Sequence, residues 1–190
     1  MVVEKTRLSK SVTIAKHRKL EAREDREGIA DFVRERFSER YIVPLRGSQK
    51  HGFCIMAICC LMIEALESFW QGWPDTRNHS KEAFRSFFER CERQGSPLGI
   101  FSKVADDFYM GVRCGILHQA ETTRGWRIRR DGLLYSPEEK IINATKFLNE
   151  LESVLAEYCD TLRNSAWDSD IWRNLINKMK AVIENCSPPQ

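Results

Sequence analysis

Two side chains in the segment DDFYMGVRCGILHQAETTRGW, residues 106–126, are of types that can bind and protonate a phosphate: Arg113 and His118, five positions apart. A guanidinium stays charged throughout the working pH range and can hold two phosphate oxygens at once. Histidine is the side chain whose ordinary titration falls near neutrality, which suits it to work as a general acid or base. On a regular helix five positions place two side chains roughly 140° apart, so spacing alone brings no direct contact. Gly111 and Gly115 lie four apart and let another stretch of backbone approach that helix closely. His118 falls at its expected C-terminal end, where the two groups can line opposite walls of one cleft. The competing reading is structural: His118 placed by the helix dipole, and Arg113 paired with Tyr109 or Asp106 on a surface.

These residues need a helix to hold them, and Val104, Phe108, Val112 and Ile116 predict one over about 101–117. Before it, the stretch of about 50–70 is apolar on nearly every face, which makes it the central helix of a bundle. Glu64 interrupts that stretch and needs a partner or a cleft. Between the two, Ser80 is placed to cap a helix carrying Phe84, Phe87, Phe88 and Cys91 on one face, ended by Gly95 and Pro97.

In residues 125–135, GWRIRRDGLLY, Trp126 and Ile128 alternate with arginines and Asp131-Gly132 signals a tight turn, which predicts a β-hairpin. Ser136-Pro137-Glu138-Glu139 reads as a capping box opening a long helix striped by Phe147, Leu148, Leu151, Val154, Leu155, Tyr158 and Leu162. A last helix from about Asp168 carries Ile171, Trp172, Leu175, Ile176, Met179 and Ile183, and residues 187–190 should fray. Upstream, Ile29, Phe32, Val33, Phe37 and Tyr41 form an amphipathic helix closed by Pro44, Gly47 and Ser48. The expected organisation is a charged helix or arm over 1–27, a helical bundle over 28–165, and a C-terminal helix with tail over 166–190. The fold class is all-α: an up-and-down helical bundle with a small β-hairpin inserted before the long penultimate helix.

The composition of these 190 residues, 42% hydrophobic and 30% charged, is that of a soluble globular protein. The net charge of +3 is too small to announce nucleic acid by itself, so any basic surface must be local. One lies beside the Arg113–His118 segment: Arg124, Arg127, Arg129 and Arg130, with Trp126 among them as a ring on which a base could stack. The alternative is a solvated hairpin face with Trp126 in the core. The longest apolar run, Phe53–Ile63, is about half of the roughly 20 residues that span a bilayer. The N-terminus lacks the apolar core of a secretory signal, and seven cysteines without a CxxC pair suit a reducing compartment. A cytoplasmic protein with no membrane association is expected. His51 and Cys54 have no second ligand pair, so no metal or other cofactor is implied, and Cys54, Cys59 and Cys60 read as small core residues.

The R-x4-H spacing of Arg113 and His118 in the penultimate core helix of an all-α bundle resembles the HEPN superfamily (higher eukaryotes and prokaryotes nucleotide-binding). The context FYMGVRCGILHQAETTRGWRIRRDG after the helix GFCIMAICCLMIEALESF looks like one of its branches of small bacterial proteins, over roughly 50–160. The resemblance implies a metal-independent endoribonuclease, toxin-like or defence-related, with Arg113 and His118 catalytic. It further implies a homodimer in which two such motifs face each other, one histidine acting as base and the other as acid. RNA or nucleotide is then the ligand, and an antitoxin-like protein a further partner. Glu64 and Glu121 are placed to orient His118 or Arg113, or equally to cap or pair elsewhere. Catalytic members usually carry a polar residue directly after the arginine, where this chain has Cys114. That departure points to the alternative, a non-catalytic HEPN-like nucleotide- or RNA-binding or protein-interaction module.

Overall fold

A computed structural model describes residues 3–47 and 51–186. Ser48, expected to help close a helix, Lys50, at the expected start of the next, and the tail 187–190 lie outside these. The protein is all-α with a small three-stranded sheet. Its helices are α1 (Ile14–Ala22), α2 (Arg26–Phe37), α3 (Gly52–Gln71), α4 (Ser80–Arg93), α5 (Ala105–Phe108), α6 (Cys114–Gln119), α7 (Ala144–Asn164) and α8 (Asp170–Glu184). The strands are β1 (Arg127–Arg129), β2 (Tyr135–Ser136) and β3 (Ile141–Asn143). The chain forms two compact units, and α3 and α7 are each divided between them.

The first unit comprises 3–44, 68–75 and 155–186 of the described residues. Its core is apolar side chains at helical spacing, as the periodicity of α2, α7 and α8 requires: Phe32 and Phe37 from α2, Tyr158 and Leu162 from α7, Trp172 and Met179 from α8. Phe37 meets Phe69 edge-on at 5.2 Å, and the Trp172 indole donates to the Leu162 carbonyl at 3.0 Å. Residues 4–27 are more than a solvated arm. Leu8, Val12 and Ile14 are buried in this core while the lysines and arginines around them face outward, so charge density concealed a short apolar set. Arg163 on α7 reaches Glu27 at 3.0 Å and Asp31 at 2.6 Å on α2.

The second unit, 45–67 and 76–154, holds Glu64, Arg113, His118 and the sheet. Phe84 and Phe88 from α4, Phe108 from α5 and Phe147 from α7 build its centre, with Phe88 edge-on to Phe108 at 5.1 Å and Phe108 stacked on Phe147 at 5.7 Å. On α3, Met56, Cys59, Cys60, Met62 and Ile63 are buried. Its 20 residues are long and apolar enough to cross a membrane, yet 61% of the most apolar window is buried inside the protein, as in a core helix. Cys54, expected in the core, is exposed at its first turn. Where α3 and α4 approach, Arg90 pairs with the fully buried carboxylate of Glu67.

The hairpin forms from other strands than 125–135 suggests. The sheet order is β1-β3-β2: β3 pairs parallel with β1 (Arg127 to Ile141) and antiparallel with β2 (Tyr135 to Ile142). Asp131-Gly132 does turn, with Gly132 at φ +78, but its strands are separated by β3. Consequently Ser136-Pro137-Glu138-Glu139 opens no helix; it ends β2 and makes the turn into β3. Lys140 at φ +51 breaks any helix there, and Ile141-Ile142 are β-branched and buried. α7 begins at Ala144, capped by Asn143, whose Oδ1 accepts from the Lys146 N–H at 3.1 Å.

Candidate functional site

The helix expected over 101–117 is built in four pieces. A 3-10 segment, Pro97–Val104, leads into α5, a π turn over Tyr109–Arg113, and α6. The buried positions run Ala105, Phe108, Gly111, Val112 and Gly115, while Val104, at the end of the 3-10 segment, and Ile116 are half-exposed.

Gly111 and Gly115 do admit a close backbone, and it is the chain's own. Thr123 donates from its N–H to the Gly111 carbonyl at 2.8 Å. A Cβ at Gly111 would sit 2.3 Å from Trp126 Cδ1, and one at Gly115 2.6 Å from the Glu121 carbonyl oxygen. Gly111→Ala is therefore expected to destabilise the protein by about 1–3 kcal/mol in urea unfolding, the clash outweighing the better helix propensity of alanine. A neutral or stabilising result would show that the 121–126 loop does not pack on this face.

Arg113 projects from the end of the π turn onto α3. Its Nε donates to Glu64 Oε1 at 2.7 Å, and the guanidinium carbon lies 5.6 Å from the Tyr109 ring centroid. Glu64 is itself fixed from the other side: its Oε2 accepts from Ser80 Oγ at 2.7 Å and from Thr76 Oγ1 at 3.3 Å. Ser80 is thus no N-cap. His79 holds that position, and the Ser80 hydroxyl serves Glu64. Burial alone would lower the Arg113 pKa; the hydrogen bond and charge of Glu64 outweigh it and leave the pKa raised. Burial, followed by a hydrogen-bonding contact with the Cys114 thiol, raises the Tyr109 hydroxyl. Asp106, the surface partner considered for Arg113, is taken by Arg85 and Lys81 of α4. The two terminal nitrogens of Arg113 make no hydrogen bond to any described residue.

His118 is exposed on the last turn of α6, which ends at Ala120 in the left-handed region (φ 54). It and Arg113 are not joined by a hydrogen bond, as the angle between their positions implies. Of the two carboxylates placed to orient them, Glu64 holds Arg113. Glu121 touches neither: its Oε1 accepts from the Thr122 N–H at 2.8 Å and folds back on its own loop.

The arginine patch divides. Arg127, Arg129 and Arg130 line a groove of about 1250 Å³ between β1 and the start of α3, together with Phe53, Thr122 and Thr145. Arg130 Nε donates to Thr145 Oγ1 at 2.9 Å, whereas Arg124 is 3.5 Å from Asp107, outside the groove lining. Trp126 does not offer a stacking surface. It is 2% exposed, lies against Tyr135 with 5.4 Å between ring centres, and donates from Nε1 to Asp107 Oδ2 at 3.0 Å. Its place in the core is the one that the alternative, a solvated hairpin face, expects of it. Phe53, which nothing in the sequence singles out among the apolar residues of α3, is half-buried and lines the groove, as does the narrow exposed edge of Trp126.

No group of histidine, cysteine and carboxylate side chains suited to a metal ion occurs among the described residues. Comparison of the chain with protein-family models, with curated proteins and with solved structures returns no match.

Proposed function

We propose that this chain is a HEPN-like endoribonuclease that works without metal as a cytoplasmic homodimer, with a toxin-like or defence role. The observation that carries the reading is the setting of Arg113. Glu64 holds the guanidinium by Nε and fixes its plane, while the terminal N–H groups stay available to grip two oxygens of a phosphate. A pre-oriented fork of this kind loses little entropy on binding a phosphodiester. One His118 takes the proton of the RNA 2′-hydroxyl as its oxygen attacks phosphorus, and the bond to the 5′-oxygen breaks. His118 of a second copy gives that leaving oxygen a proton. The products are a 2′,3′-cyclic phosphate and a 5′-hydroxyl.

A second copy has a surface to use. Leu61 lies one turn from Glu64, and Met110 and Leu117 one turn either side of Arg113; all three are exposed. Exposed apolar side chains this near in sequence to Glu64 and Arg113 suit a self-complementary face.

The alternative, a non-catalytic module of the same fold, is favoured by the exposure of His118 without a described partner to set its ring, and by Cys114 beside Arg113. Cleavage of an RNA panel in EDTA separates the two. The native dimer is expected to leave 2′,3′-cyclic phosphate ends, and His118→Ala to slow cleavage by roughly 10²–10⁴-fold without loss of folding. Growth arrest on expression, relieved by His118→Ala, tests the toxin role. A folded, dimeric native protein that cleaves nothing would leave the binding module as the reading.

A further inference from the structure

The groove beside β1 combines two kinds of side chain that grip different parts of a nucleic acid. Arg127 and Arg129 are two apart on β1, so their side chains share one face about 6.6 Å apart, a spacing suited to successive phosphates of an extended strand. Both are exposed, and Arg130 joins them with its guanidinium steadied by Thr145. Two carboxylates, Glu121 and Asp131, also line the groove, and a third, Glu139, lies 3.7 Å from Arg127 Nη2, which donates to the Glu139 carbonyl at 3.1 Å; that pair is more than half exposed and so weak. Glu121 is engaged by its own loop, and what favours a polyanion here is the regular placement of the cations on β1 rather than an excess of charge. Across from β1, Phe53 enters the lining from the first turn of α3.

We infer that this groove binds a segment of single-stranded RNA, with phosphates on Arg127, Arg129 and Arg130 and a base stacked on Phe53. A charged track beside an aromatic ring that a base can reach is how single strands are held without sequence readout. A duplex keeps its bases stacked inside and can use only the arginines. The choice of RNA rests on the ribonuclease reading; the groove itself does not.

The test is fluorescence anisotropy of labelled single-stranded and duplex RNA of equal length, in EDTA, with His118→Ala as the parent so that binding is read without cleavage. Phe53→Ala, and Phe53→Leu as a variant that keeps apolar volume, are expected to weaken single-strand binding roughly 5- to 100-fold and leave duplex binding unchanged. Arg127→Ala/Arg129→Ala is expected to weaken both RNAs and to flatten the salt dependence of single-strand binding by about 1.4 in log–log slope, about 0.7 for each lost phosphate contact. Unchanged binding by these folded variants, loss of duplex binding with Phe53, or no binding by the parent would overturn the proposal. RNA held in the groove by a native protein that cleaves nothing sinks the ribonuclease reading alone. Cleavage by a native protein whose groove variants bind and cleave normally sinks the groove alone.

Discussion

Glu64→Ala is expected to lower unfolding stability by about 3–5 kcal/mol, because it leaves the Arg113 guanidinium poorly solvated and without its counter-charge. The side chains of Arg113 and Glu64 are 17% and 9% exposed, so water can do little to replace the lost carboxylate. Thr76 loses its acceptor in the same step, and the Ser80 hydroxyl keeps only the Thr76 carbonyl at 3.3 Å. The double variant Glu64→Met/Arg113→Met should recover most of the loss, since removing both charges also removes the cost of keeping them from water. Urea unfolding of the two singles and the double gives the coupling directly. The result bears on function as well. A cost below about 1 kcal/mol for Glu64→Ala would class the pair with solvent-screened surface bridges. Arg113 would then have no fixed plane, and the pre-oriented phosphate fork would be lost with it.

Acid should weaken the protein well before carboxylates are protonated in bulk, and His17 is the reason. The ring is 2% exposed, edge-on to Phe32 at 5.1 Å, and neither nitrogen has a hydrogen-bond partner; Glu21 Oε2 is 3.7 Å away, beyond that reach. Burial, and then the positive charge of Arg36, lower its pKa from the ordinary 6.5 to about 4. The neutral ring is thus favoured in the folded state, and between those two values the unfolded chain binds the extra proton. Stability is therefore full above pH 6.5 and falls as the pH drops from 6.5 towards 4, by ~3 kcal/mol over the window. His17→Phe, which cannot titrate, should flatten that part of the curve of unfolding free energy against pH. An unchanged slope in His17→Phe would assign the acid sensitivity to other groups.

What could be read from the sequence was what depends on helical repeats of apolar residues. Every residue of the α7 stripe from Phe147 to Leu162 is buried, as is the phenylalanine face of α4. A carboxylate interrupting a largely apolar helix announced that Glu64 must have a partner or a cleft, and Arg113 is that partner; Glu67, one turn on, carries the same signal and pairs with Arg90. What could not be read depends on pairings distant in sequence or on single backbone angles. Ser136 to Glu139 has the composition of a helix start, but whether it is one rests on β3 being drawn between β1 and β2. Which of the two readings of Trp126 holds, stacking surface or core, rests on a similar pairing. Local alternation does not tell which face of a short strand the core will occupy, whereas the glycine at 111 leaves a slot that Trp126 fills.

The π turn leaves the Gly111 carbonyl bonded to Thr123 rather than wholly spent within its own helix, and this ties two parts of the second unit together. Thr122, the next residue back, is part of the groove wall, and Arg113 is two residues on from Gly111. Thr123 holds that carbonyl twice, from its N–H at 2.8 Å and its hydroxyl at 3.4 Å, so the groove wall and the arginine are moored to one and the same peptide unit.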